Sequence, residues 1–92
     1  MDRKVELYGV LRELSAEAAV ILTIPDDARP AEVRRALVAW RSEQGVAAAA
    51  ALHALTQMLE RTVVAADDTI LSDEEVVGTA RTLALLPPVC GG

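Results

Sequence analysis

The sequence predicts an α+β domain: one mixed β-sheet with helices covering one of its faces. Three observations lead there. Short aliphatic or β-branched segments lie near both ends of the chain, at residues 3–10, 19–24 and 82–86. Between them, residues 30–61 carry helical periodicity and an alanine run. The 92 residues, 52% of them apolar, are enough for one small domain with a core rich in Ala, Val and Leu.

Each element follows from its own residues. In residues 3–10, polar Arg3, Glu6 and Tyr8 are set against apolar Val5 and Leu7, with Lys4 a partial exception; this predicts a half-buried strand. A turn or single helical turn is expected over residues 11–16. Residues 19–24 place Val20, Leu22 and Ile24 on one side of a second strand, which Pro25-Asp26-Asp27 ends. The two strands read as a hairpin with a long connection.

Pro30 starts a helix, since its missing N–H costs nothing at the first helical position. Glu32 falls in the first turn, where the helix dipole favours a carboxylate. Val33, Ala36, Leu37 and Trp40 form one apolar stripe, Arg34, Arg35 and Arg41 lie off it, and Gly45 is placed to end the helix. Residues 46–61 predict a second helix, with alanines from Ala47 to Ala51 and an apolar face of Leu52, Leu55, Met58 and Leu59. Residues 63–66 read as a short strand and Asp67-Asp68-Thr69 as a turn. Ile70-Leu71 and Val76-Val77 flank an acidic turn, Gly78 interrupts the chain, and residues 82–86 form the final strand.

Composition removes several function classes. A net charge of −5 argues against nucleic acid, whose affinity comes largely from Lys and Arg neutralising phosphates. A single cysteine makes no internal disulfide and asks for no oxidising compartment. No signal-peptide pattern follows Met1, and the longest apolar run, residues 46–52, is far too short to span a bilayer. A soluble, cytoplasmic protein with no membrane association is expected.

The chain holds few candidates for chemistry. His53 is expected on the second helix and Cys90 on the tail, so they do not read as a nucleophile–base pair. Zinc would need four ligands at short spacings, and Gly9, Gly45 and Gly78 are isolated rather than a phosphate-binding loop. Asp67, Asp68, Asp73, Glu74 and Glu75 lack the spacing of a calcium loop and read as solvated turns. No bound metal or cofactor is expected.

What stands out is the end of the chain: residues 1–86 read as the domain, and residues 87–92, Pro87-Pro88-Val89-Cys90-Gly91-Gly92, as a flexible tail. Neither proline offers an N–H to a sheet, and Leu86 and Pro87, each preceding a proline, are pushed toward extended backbone. Gly91 and Gly92 remove every side chain around the terminal carboxylate. At about 3.3 Å per residue, such a tail reaches about 20 Å from the domain. Its apolar root, Leu83-Ala84-Leu85-Leu86, is expected to be anchored in the sheet. An unhindered carboxylate on a stiff arm is what an activating enzyme needs to adenylate it.

The string from Leu85 to Gly92 resembles the C-terminus of the molybdopterin synthase small subunit, a ubiquitin-like sulfur carrier of the β-grasp fold. Val5-Glu6-Leu7-Tyr8-Gly9-Val10-Leu11-Arg12-Glu13-Leu14 is similar to that family's opening strand and following turn, and Ile24-Pro25 through Val33 to its strand end and helix start. The resemblance is strong at both ends and loose between residues 44 and 81. It implies that Gly92, preceded by Gly91, is adenylated by a ubiquitin-activating-like adenylyltransferase that consumes ATP, then converted to a thiocarboxylate. It also implies that Pro87, Pro88, Val89 and Cys90 thread the tail into the large synthase subunit, where sulfur is donated to the molybdopterin dithiolene made from cyclic pyranopterin monophosphate. The small subunit is then a co-substrate, non-catalytic alone, within a heterotetramer. Delivery to thiamine, cysteine or tRNA thiolation, or attachment to proteins as a ubiquitin-like modifier, are the alternatives the tail leaves open.

Overall fold

The first strand, β1 (Asp2–Leu7), alternates strictly, with Arg3, Val5 and Leu7 wholly buried and Asp2 and Lys4 exposed. The computed structural model describes residues 1–15, 17–44 and 49–87. After β1 come α1 (Val10–Ser15), β2 (Ala19–Thr23), α2 (Pro30–Glu43), α3 (Ala49–Glu60), β3 (Val63–Ala66), β4 (Thr69–Ile70) and β5 (Thr82–Leu86).

The sheet order is β2-β1-β5-β3-β4. β1 and β2 pair antiparallel, with α1 in the connection between them, as the hairpin expectation requires. β5 runs parallel to β1 and antiparallel to β3, so the sheet is mixed and the last strand occupies its centre. One face carries Val5, Leu7, Val20, Leu22, Val64, Leu83 and Leu85. Against it pack Leu11 of α1, Val33 and Leu37 of α2, and Leu55 and Leu59 of α3. Burying each such side chain stabilises the fold by about 1.5–3 kcal/mol relative to leaving it exposed.

The helix start at Pro30 forms as its residues dictate: the Arg29 N–H donates to Glu32 Oε1 at 3.4 Å, and Val33 and Leu37 are buried. α2 ends at Glu43 with Gln44 beyond it; Gly45, expected to terminate the helix, lies outside the described residues. Arg34 is off the apolar stripe but not idle. Its Nε and Nη2 donate to the Thr62 carbonyl at 3.2 and 2.8 Å, tying α2 to the α3–β3 junction.

One residue of β1 departs from expectation: Arg3, expected among the polar residues set against Val5 and Leu7, shares their inward face and is 0% exposed. Its guanidinium donates from Nε to the Ile24 carbonyl at 2.9 Å, from Nη1 to the Ala80 carbonyl at 2.6 Å, and from Nη2 to Asp26 Oδ1 at 2.5 Å. A rigid fork with several donors can satisfy itself internally in a way a lysine cannot. Val76-Val77 flanks the acidic turn as expected; Val77 is buried, and its N–H donates to the Ala28 carbonyl at 2.9 Å. The neighbouring Gly78 N–H donates to the Asp26 carbonyl at 2.9 Å, so this loop is stitched to the segment that ends β2.

The acidic turns have structural work. Asp67 adopts φ +53 in the two-residue turn between β3 and β4, a conformation that Asp tolerates better than most residues. At the next turn, the Ser72 N–H donates to Glu75 Oε1 at 2.9 Å, and this bond holds the Glu75 carboxyl below its ordinary pKa.

Candidate functional site

The chain reaches Pro87 from its most enclosed strand. β5 has hydrogen-bonded neighbours on both sides, and Leu83 and Leu85 are fully buried. Such a strand cannot shift without disrupting the sheet on either side, so the point where Pro87 follows Leu86 is a fixed origin. Pro87 itself is half-buried. Pro88, Val89, Cys90, Gly91 and Gly92 lie outside the described residues.

What surrounds the origin comes from the end of β1 and the turn after it. The parallel register pairs Leu7 with Leu85, which brings Tyr8 beside Leu86 and Gly9 beside Pro87. Gly9 has φ +57, and a Cβ placed there would lie 3.1 Å from Pro87 Cγ. The Leu11 N–H then donates to the Tyr8 carbonyl at 3.2 Å and the Arg12 N–H to the Gly9 carbonyl at 3.1 Å, closing the turn into α1. Tyr8 points to the helix-free side, where its hydroxyl donates to Glu6 Oε2 at 3.0 Å. That hydrogen bond, with the repulsion from the Glu6 charge, raises the phenol above its usual pKa, and Arg12 partly opposes the rise.

The same helix-free side carries an apolar strip. Ile70, Ala65, Ala84, Glu6 and Ala19 form one cross-strand row, and Val63 and Leu86 form the next, nearer the tail. Ile70 is 63% exposed and Val63 37%. Aliphatic side chains left in water beside the tail's origin are suited to contact with another protein.

Of the tail residues singled out from the sequence, only Pro87 falls within the description, and the structure sets it against Gly9, which is not among the site residues expected from the sequence. A signal for Gly9 existed: a glycine between a strand pattern and a helical turn. Without the β1–β5 pairing, nothing connected it to Pro87. His53 is exposed on α3. Among the described residues no group of three or more His, Cys, Asp or Glu is placed to hold a metal ion, and no helix is long and apolar enough to cross a membrane. An open cleft between α2 and α3, lined among the described residues by Val38, Leu59, Arg34 and Glu60 and others, belongs to the helical layer.

The comparisons with known proteins bear on the whole chain. The model of the ThiS family matches residues 5–92, including the tail to Gly92. SAMP1 from Haloferax volcanii superposes with a TM-score of 0.66 at 22% identity, covering 100% of both chains. A second structure, the small archaeal modifier protein 1 of H. volcanii, gives 0.65 at 21%, covering 96% of this chain and 98% of the other. A Pyrococcus furiosus protein described as a molybdopterin converting factor, subunit 1, gives 0.64 at 15%, covering 97% and 99%. These likenesses establish the ubiquitin-like β-grasp fold. No curated protein sequence matches the chain.

Proposed function

The chain belongs to the ThiS family of ubiquitin-like sulfur carriers, and from that premise we propose that it is the sulfur-donating small subunit of a molybdopterin synthase. In this reading the Gly92 carboxylate attacks the α-phosphorus of ATP on a ubiquitin-activating-like adenylyltransferase; pyrophosphate leaves and an acyl-adenylate forms. A sulfur nucleophile at the oxidation level of hydrosulfide then displaces AMP and leaves a thiocarboxylate. The loaded tail enters the large subunit, which supplies the acid–base groups, and its sulfur passes into the molybdopterin dithiolene built on cyclic pyranopterin monophosphate. The chain acts as a co-substrate and holds no cofactor of its own.

The observation that carries this reading is the direct run of the central strand β5 into Pro87, with the family match continuing to Gly92. A rigid origin, two prolines that favour extension, and two glycines with no Cβ beside the reacting carbon together suit insertion into a narrow pocket. Val89 and Cys90 are small enough to pass with them. The Pro87-Pro88-Val89 string before Cys90-Gly91-Gly92, and the likeness to the P. furiosus protein, favour the molybdopterin branch. The exposed side chains of Val63 and Ile70, with half-buried Leu86 beside Val63, suit a partner's hold while the tail is engaged.

A second reading, a modifier whose Gly92 is joined to lysines of other proteins, has its own support in the likeness to the two Haloferax structures. Both readings share the adenylate and diverge after it. The test is intact mass after incubation with ATP, the activating enzyme and a sulfur donor. A fraction heavier by the exchange of oxygen for sulfur at Gly92 is expected, and it should be consumed when the large subunit and its pterin substrate are added. If no such species forms with every component present, the carrier reading is wrong; lysine-linked adducts in its place would move the chain to the second reading.

A further inference from the structure

Gly9 is the one positive-φ position among the described residues where a missing Cβ also makes room for something. Three residues have φ in this region: Gly9 at +57, Gly78 at +63 and Asp67 at +53. At Asp67 the chain meets the conformation with aspartate, which tolerates it better than most Cβ-bearing residues. At Gly78 a Cβ would meet nothing within 4 Å. At Gly9 it would lie 3.1 Å from Pro87 Cγ, well inside the roughly 3.5–4.0 Å at which carbon atoms rest against each other. A positive φ suits glycine at both positions; the clearance for Pro87 is what sets Gly9 apart from Gly78.

The neighbour is a proline ring, and this decides who would have to move. A leucine could rotate away from a new methyl group. The pyrrolidine ring is closed onto its own backbone nitrogen, with φ held near −65°, so beyond the small displacement of Cγ that a change of pucker gives, relief has to come from the main chain at Pro87. That is where the chain departs from β5. We infer that Gly9 is a positioning residue for the C-terminal tail: its bare Cα lets the Pro87 ring seat against the β1–α1 turn, and the seated ring sets the direction in which the tail leaves the sheet. This rests on the reading above, in which the tail is presented to a second enzyme, and adds to it the part of the domain that aims the tail. Gly9 touches neither ATP nor the acyl carbon in this scheme; it acts through Pro87.

The chain's single cysteine, Cys90, allows the direction to be measured without engineering. A nitroxide attached there broadens the amide NMR signals of whatever part of the domain it approaches. Gly9→Ala should change the broadened set. Gly78→Ala, which meets the same backbone strain with no atom in the way, should lower Tm and leave the broadened set as in the unsubstituted protein. With Pro87→Ala already present, adding Gly9→Ala should change nothing further, because the ring it acts through is gone. Should Gly9→Ala fail to fold, Gly9→Asn takes its place, since asparagine tolerates positive φ but carries the same Cβ. An unchanged broadened set in the position-9 variant, an equal change in Gly78→Ala, or a full effect of Gly9→Ala in the Pro87→Ala background would each overturn the inference.

In the ATP-dependent sulfuration assay, unlabelled Gly9→Ala should lose about tenfold or more in kcat/KM, the scale expected when a reacting group is displaced by a fraction of an ångström to an ångström. Gly78→Ala should retain the unsubstituted rate, and equal losses in the two variants would count against the inference. If the unsubstituted protein is never sulfurated, the carrier reading fails, while the broadening experiment still decides whether Gly9 aims the tail.

Discussion

Replacing Arg3 by methionine keeps an unbranched stem in the core but leaves the Ile24 and Ala80 carbonyls without their donor in a buried site. We expect Arg3→Met to lose about 2–4 kcal/mol of stability, seen as a lower urea midpoint at unchanged slope. Asp26→Asn should lose less than about 1 kcal/mol, because Asp26 is 58% exposed and its ion pair with Arg3 is screened by water. Equal losses would mean that the charge pair, and not the two carbonyls, anchors Arg3. The side of β1 that Arg3 takes was open to counting, since Arg3, Val5 and Leu7 are spaced by two; the acceptors that make its burial tolerable come from loops remote in sequence.

Tyr8 gives a second residue-scale test, because it is the chain's only tyrosine and its ionisation can be followed by ultraviolet absorbance without ambiguity. Its hydrogen bond to Glu6 favours the neutral phenol, so the folded midpoint should lie above the ordinary value of about 10. Glu6→Gln should bring it down. The sign for stability follows: the contribution is complete below the unfolded pKa and is lost as pH climbs through the raised folded one.

At the scale of elements, β5 is placed to separate folding from function. Leu85→Ala empties part of the core beneath the sheet and should cost about 2–5 kcal/mol. Deleting residues 88–92 should leave the urea midpoint within the roughly 0.5 kcal/mol usual for changes outside the core. A large loss on deletion would show that the tail contributes to the fold. The helix at α2 and the strands β2, β3 and β5 were legible because each carries its own periodicity, cap or breaker over several residues. β4 was legible only in part: two residues contain no period, and its pairing to Ala65 and Ala66 decides that it is a strand. Val76-Val77 was legible as the flank of an acidic turn, but nothing local shows that Val77 is buried with its N–H on the Ala28 carbonyl, a residue remote in sequence.

For the whole molecule, the described helices pack against one face of the sheet, and β5 runs into Pro87 beside the end of β1. Adding one residue after Gly92, or removing Gly92, should abolish sulfur delivery while Tm and the urea midpoint stay put. Delivery that survives either change would place the reacting group elsewhere, with the Cys90 thiol the first to be examined. Acidity belongs at this scale too: with a net charge of −5, encounter with a partner bearing a basic rim should slow as salt is raised.

By itself the sequence determined the α+β class, the helix beginning at Pro30, the order of the main strands and the unusual character of residues 87–92, because these depend on side-chain period, proline and glycine, which act over a few neighbouring residues. Tertiary structure alone decided that the last strand lies beside the first, that Arg3 is clasped by Ile24, Asp26 and Ala80, and that Gly9 seats Pro87. Each of these joins atoms from opposite ends of the chain, and hydrogen-bond geometry and close packing between such segments exist only once the sheet has brought them together.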